Sequence, residues 1–140
     1  EDLQANMQVN VSIVRTKEDL EKGIDGLEKI KEKYKNIKAP GASQYNPGWH
    51  EALALRNLLV TSEAVARAAL IREESRGAHT RVDFPGERDE WIKYNIVTKK
   101  GADGNMEVSK VERPEPDAEL KRVGESELEA LEAEVAAEQE

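Results

Sequence analysis

Cysteine is absent from this chain. That removes disulfides, thiolate metal sites and cysteine nucleophiles. Histidine is scarce: His50 and His79 stand far apart, neither with a carboxylate at an obvious ligand spacing, so no zinc site is expected. Aromatics are 4% of the 140 residues. The core must therefore be aliphatic and modest, and a chain of this size folds alone only marginally. No apolar run approaches the roughly 20 residues that span a bilayer, so no direct membrane insertion is expected. Gly101-Ala102-Asp103-Gly104 reads as a hairpin turn, not as a phosphate-binding GxGxxG between strand and helix. Nucleophile elbows and paired-acid signatures are lacking. We therefore assign no catalytic, cofactor-binding or metal-ligating residue from the sequence. Asn10-Val11-Ser12 matches a glycosylation sequon, but it falls in an expected helix and is discounted. Glu1 opens like mid-protein sequence, without a secretory signal, and a soluble reducing compartment is the default expectation.

What is plentiful is charge, at 36% of residues, with a net charge of −8. From Pro114 to Glu140 there are ten acidic and two basic residues; Glu1 to Arg113 hold 19 of each sign. The body is balanced and the tail carries the excess. No cationic surface is concentrated enough for a phosphate backbone, so nucleic-acid binding is not expected.

Leu3, Met7, Val11 and Val14 recur at helical spacing and predict a helix over 2–14. Thr16 followed by Asp19 predicts an N-cap. A second helix should run to about Ile37 on an apolar face of Leu20, Ile24, Leu27, Ile30 or Lys31, Tyr34 and Ile37. Its other faces hold seven lysines and six acids between Thr16 and Lys38, read as solvated surface laced with ion pairs. Gly23 and Gly26 weaken this helix and suit close approach of another backbone. Pro40-Gly41 marks a loop. Asn46-Pro47 then opens the strongest helix, from about Trp49 to Ser75, with Arg76-Gly77 as its expected end. Trp49, Ala52, Leu55, Leu59, Ser62, Ala66 and Ala69 form one stripe; Leu53, Val60 and Leu70 widen it. A helix this apolar is expected to be enclosed on several sides.

Trp91 to Lys99 alternates imperfectly and predicts a strand, with Gly101–Asn105 as a turn and Met106–Val111 as the returning strand. Met106, Val108 and Lys110 share one face. Pro114-Glu115-Pro116-Asp117 closes the ordered part. Residues 1–113 form the expected body and 114–140 an acidic tail. Over 125–140 the composition suits a fraying helix with a thin stripe of Leu128, Leu131 and Val135.

One segment is dense in unusual choices. Arg72, Glu74, Ser75, Arg76, Gly77, His79, Arg81 and Asp83 follow one another ahead of Pro85. Cations near a helix C-terminus complement its dipole, and arginine forks tie carbonyls and carboxylates together. By residue type alone this is a structural network at a helix end, and His79 a hydrogen-bonded structural histidine.

Glu74-Ser75-Arg76-Gly77-Ala78-His79, then Arg81, Asp83 and Pro85, strongly resembles the ESRGAHxRxDxP motif of succinate dehydrogenase and fumarate reductase flavoproteins. Met7 to Arg15 resembles the family's helix ending in VGIxR, with Ser12 where glycine is usual. Tyr45-Asn46-Pro47 to Arg56-Asn57-Leu58-Leu59, and then Ala66 to Leu70, resemble its long central helix. Asp89 to Tyr94 resembles DxxWxKH, with Tyr94 in place of histidine. The likeness covers about residues 3–113.

The resemblance implies a mainly α fold: a three-helix bundle, spectrin-repeat-like, with a small C-terminal β-hairpin, here followed by a flexible acidic tail. It implies that the flavin and substrate machinery lies upstream, so FAD belongs to the parent protein and no cofactor to this segment. Implied partners are the flavin-binding domain of the same parent chain and an iron–sulfur subunit. The implied location is cytoplasmic, peripheral on the inner face of the cell membrane. The residue set from Arg72 to Asp83 carries over as a domain-packing corner only. L-aspartate oxidase shares a similar corner, but Ala78 and the Trp91 segment favour the dehydrogenase. A free-standing helical interaction module is the remaining alternative.

Overall fold

The computed structural model describes residues 1–137. Among them are five α-helices and a small two-stranded antiparallel sheet, so the protein is mainly α. Helices α1 (Asp2–Asn10), α2 (Lys17–Tyr34) and α3 (Pro47–Ile71) pack in sequence order, α1 on α2 and α2 on α3. Their shared core is aliphatic: Leu3, Val11, Leu20, Leu27, Leu59, Ala66 and Ala69. Met7, Ile24, Ile30, Tyr34, Leu55 and Leu70 pack around it. Most expected apolar positions of α2 therefore face inward. Ile37, beyond the helix end, is 46% exposed.

Both predicted N-caps form. Thr16 Oγ1 accepts from the Asp19 N–H at 3.1 Å. Asn46 Oδ1 accepts from the Trp49 N–H at 3.2 Å, while its Nδ2 donates to the Pro40 and Ala42 carbonyls at 2.8 and 2.9 Å. Asn46 thus starts α3 and folds the preceding loop onto it.

The glycines of α2 are where α1 crosses. A Cβ added at Gly23 would meet Val11 Cγ2 at 2.6 Å, and Asn6 Nδ2 donates to the Gly23 carbonyl at 2.8 Å. In an open helix Gly→Ala gains about 1 kcal/mol. Here overpacking should outweigh that gain. Gly23→Ala is expected to lose about 1–3 kcal/mol, read as a lower urea midpoint; a higher midpoint would show that α1 does not press on α2 here.

Four expectations are corrected. The first helix ends at Asn10, not residue 14. Val14–Arg15 instead forms strand β1, parallel to β2 (Thr80–Arg81). Thr80 N donates to Ile13 O at 3.1 Å and Val82 N to Arg15 O at 3.0 Å. The β-branched run Val11, Ile13, Val14 is poor helix material once a strand partner exists.

Second, α3 stops at Ile71, with Arg72 in extended conformation, not at Arg76-Gly77. Nor is α3 enclosed on several sides within this chain: Leu53, Leu58 and Val60 are 51%, 53% and 55% exposed. Third, Trp91 lies in a 3-10 turn (Asp89–Lys93); β3 begins at Tyr94 and runs to Lys100, antiparallel to β4 (Met106–Glu112). Trp91 is buried, with Lys110 over its ring at 3.9 Å and over that of Tyr94 at 4.0 Å, and Arg72 at 5.8 Å from the Trp91 ring. Fourth, the tail holds helix α4 (Ala118–Glu125), which was not expected, besides α5 (Leu128–Ala137). Asp117 caps α4 by accepting from Glu119 N at 2.9 Å. Leu120, Leu128 and Val135 remain exposed. Residues 138–140 of the expected tail helix lie outside the described residues.

Candidate functional site

The last carbonyls of a helix have no partners within it. In α3 they are met from outside. Arg81, a buried arginine only 1% exposed, directs Nη1 at the carbonyls of Ala69, Leu70 and Arg72, at 3.0, 3.0 and 3.2 Å. Its other edge forms a fork with Asp83: Nε to Oδ1 at 2.8 Å and Nη2 to Oδ2 at 2.7 Å. Asp83 Oδ2 also accepts from the backbone N–H of Lys17, the first residue of α2, at 3.1 Å. One ion pair therefore joins two helix ends. The cation sits where α3 is partially negative, the anion where α2 is partially positive. The β1–β2 ladder delivers Arg81 to this place. The Arg81 guanidinium holds the Asp83 carboxyl at about 2, well below its ordinary 3.8.

A second carboxylate organises the other half of the corner. Glu74 is fully buried. It accepts from Arg72 Nε at 2.9 Å and also from Arg72 Nη2. Arg76 Nε reaches its two oxygens at 3.2 and 3.3 Å, and the Arg88 N–H meets it at 3.0 Å. Burial alone would raise its pKa. The Arg88 amide and the Arg76 and Arg72 guanidinia outweigh that and hold it at about 2.

Ser75 joins the halves. Its Oγ accepts from Arg81 N at 2.8 Å and lies 3.0 and 2.9 Å from the carbonyls of Arg81 and Phe84. Arg76 and His79 then exchange backbone hydrogen bonds, Arg76 N to His79 O at 2.9 Å and His79 N to Arg76 O at 3.1 Å. Gly77 enters this two-residue turn at φ +57°. A Cβ on Gly77 would meet no atom within 4 Å, so substitution there tests backbone conformation alone. Gly77→Val is expected to lose about 1–2 kcal/mol and Gly77→Asn clearly less, since Asn tolerates the left-handed region. Equal melting temperatures for the two variants would show that the positive φ is not required.

His79 Nε2 lies 3.1 Å from the Arg72 carbonyl, which can only accept, so Nε2 carries the proton. Burial lowers its pKa, as do the Arg15, Arg81 and Arg72 charges; the Arg72 carbonyl pulls the other way. His79 is neutral at neutral pH, with Nδ1 as an acceptor. The corner thus holds two deprotonated carboxylates saturated with donors and one anchored imidazole. That chemistry fixes segments to one another. Among the described residues, no three His, Asp or Glu side chains gather as a metal site.

Residues 1–132 match the family described as fumarate reductase flavoprotein C-terminus. The chain belongs to that family. It is 40% identical over 96 residues to the succinate dehydrogenase flavoprotein subunit of Rickettsia conorii, covering 67% of this chain and 16% of that one. It is 33% identical over 104 residues to the succinate dehydrogenase flavoprotein subunit of Coxiella burnetii, covering 72% and 18%. Among solved structures, the Mycobacterium smegmatis Sdh1 complex in the apo form superposes with a TM-score of 0.71 at 38% identity, over 78% of this chain and 18% of that one. The chain thus spans less than a fifth of the length of these relatives, and it corresponds to the C-terminal domain of such flavoprotein subunits. The aspartate oxidase and free-standing readings are not favoured.

The corner is larger than the sequence pointed to. Arg72, Glu74, Ser75, Arg76, His79, Arg81 and Asp83 do come together, with Gly77 at the turn. Sequence reasoning missed the Lys17 amide, 66 positions from Asp83, for which no local signal exists. It missed Arg88 and Glu87, which complete the Arg72–Arg76 half; Glu87 Oε2 accepts from Arg76 Nη1 at 2.9 Å. It also missed Phe84, flanked by the Arg81 and Arg88 guanidinia at 4.9 and 5.2 Å from its ring. Away from the corner, Glu63 is only 7% exposed and pairs with Lys31 at 2.7 Å and Arg67 at 2.8 Å. Lys31 is thus an exception to the solvated reading of the α2 lysines. The signal was there: Glu63 stands four after Leu59 and three before Ala66, on the buried face.

Proposed function

We propose that this chain works as the packing domain of a larger flavoprotein subunit whose reaction interconverts succinate and fumarate. In that reading hydride passes between succinate and FAD, and electrons leave to an iron–sulfur subunit. The whole would sit peripherally on the inner face of the cell membrane. The flavin is assigned to a neighbouring domain: here β1 runs into α2 through Thr16, without the glycine-rich turn that receives a dinucleotide phosphate. Helices α1, α2 and α3 are read as a three-helix bundle of the spectrin-repeat kind. Residues 1–113 are the packing body and 114–140 an appendage.

The observation that carries this reading is the apolar surface that α3 leaves uncovered on two sides. Leu53 and Val60 lie along one stripe at 51% and 55% exposure, and Leu58 and Val65 along another at 53% and 45%. Apolar surface left open in this way marks an interaction surface. Beside it, the Arg72–Asp83 corner is rigid enough to hold that surface in register with a neighbour.

The test is reconstitution. The 140-residue chain should purify colourless and turn over no succinate, whereas the full-length flavoprotein containing it should bind flavin and reduce a dye with succinate. A chain that is yellow by itself overturns the proposal. Removing residues 124–140 should leave the melting temperature unchanged; a large drop would show the tail to be part of the body.

A further inference from the structure

The α3 helix, strand β1 and the start of β3 border an open cleft that the corner does not use. The cleft, of about 740 Å³, is lined by Arg15, Arg72 and His79 on one side and by Val65, Ala68 and Val97 among its apolar walls. Among the described residues, no aspartate or glutamate lines it. Arg72, Arg76 and Arg81 each have a carboxylate within 3.2 Å. Arg15 has none within ion-pair distance among the described residues, where its guanidinium makes one hydrogen bond, from Nε to the Ile13 carbonyl at 3.3 Å. It is nevertheless half-buried, and burial together with the Arg81 charge makes its protonated state costly. His79 lines the same space.

A half-buried guanidinium without a counter-ion, beside another arginine, is an incomplete ion pair. We infer that this cleft receives the carboxylate of an aspartate or glutamate presented by the neighbouring domain, which forks onto Arg15 beside His79. The inference rests on the packing role proposed above and names its contact. A cleft of this size takes a side chain together with the loop that bears it. Once the neighbouring domain covers the cleft, its apolar walls leave the pair partly desolvated, which strengthens it. Arg72 cannot serve instead, because its guanidinium is already committed to Glu74.

The experiment compares the 140-residue chain with the full-length flavoprotein that contains it. Phenylglyoxal, which modifies accessible arginines, is applied to both, and Arg15 modification is followed by peptide mass spectrometry. Arg15 should react at least about tenfold more slowly in the full-length protein, as befits a guanidinium held in a buried bidentate pair. In parallel, Arg15→Lys is made in the full-length protein, which is then treated with a carbodiimide that joins an amine to a carboxylate only in contact. Lys at this position should couple to one Asp or Glu outside the 140 residues. Equal Arg15 reactivity in a full-length protein that binds flavin overturns the inference while leaving the packing role standing. Coupling only to residues within the chain also overturns it. Protection that appears only when acetate is added would assign the cleft to a free small carboxylate and reject a side chain. A full-length protein that binds no flavin would instead fail the packing role itself.

Discussion

Arg81→Ala is expected to remove about 3–5 kcal/mol of folding stability, the range for breaking a buried ion pair from one side. A domain of this size holds about 5–15 kcal/mol in all, so the variant should be largely unfolded or close to it. Two losses combine. The carbonyls of Ala69, Leu70 and Arg72 lose their donor, and Ala69 is only 6% exposed, so water replaces the guanidinium poorly. Asp83 loses its fork and must hold the α2 amide alone. Arg81→Lys keeps the charge but cannot point one edge at carbonyls and another at a carboxylate. It should recover less than half of the loss. Asp83→Asn should cost less than Arg81→Ala, because the Asp83 side chain is 28% exposed against 1% for Arg81, and the arginine keeps its carbonyls. Urea unfolding followed by circular dichroism measures all three. A wild-type midpoint for Arg81→Ala would show that α3 does not need this cap.

Acid should unfold the protein through two carboxylates in particular. Glu74 and Asp83 titrate at about 2 when folded, against ordinary values of 4.5 and 3.8. Both folded values are depressed, so protons bind the unfolded chain first. The stabilisation is complete above about pH 5 and is lost as the pH falls toward 2. Glu74, fully buried, accounts for about 3 kcal/mol at 1.36 kcal/mol per unit, and Asp83, open to solvent and screened by it, for about 1 or less. His79 acts in the same direction but earlier. Its folded pKa lies below 6.5, so stability begins to decline as the pH drops through that value. Urea midpoints at pH 7, 5 and 3 should fall most steeply between the last two. Glu74→Gln should be less stable at pH 7, because three donors then face a neutral amide, and its decline below pH 5 should be shallower. An unchanged slope would mean that Glu74 is not the group being protonated.

Local features of this fold are legible in the sequence and distant ones are not. Caps are local, and Thr16 and Asn46 were readable because the bonding partner lies three residues on. The inward face of α2 was readable because burial repeats with the helical turn. The end of α3 was misplaced, since Gly77 offers a helix stop but the stop is set at Ile71 by an arginine ten positions later. The end of α1 was misplaced for the same kind of reason: Val14 leaves the helix to pair with Thr80. Trp91 was assigned to a strand by its alternating neighbours, whereas a turn and the Lys110 side chain decide its place.

By itself the sequence determined the helical class, the capped starts of α2 and α3, the hairpin turn, the acidic bias of the tail and eight residues of the corner, from Arg72 to Asp83. These depend on residue type and on spacing within a few turns. Only the tertiary structure decided that Arg81 and Asp83 link the end of α3 to the start of α2, that Glu74 gathers Arg72, Arg76 and Arg88, and that Arg15 meets no acid among the described residues. The physical reason is that a guanidinium or carboxylate is satisfied by whatever the fold brings within about 3 Å, and the chain between such partners leaves no trace of the distance it closes.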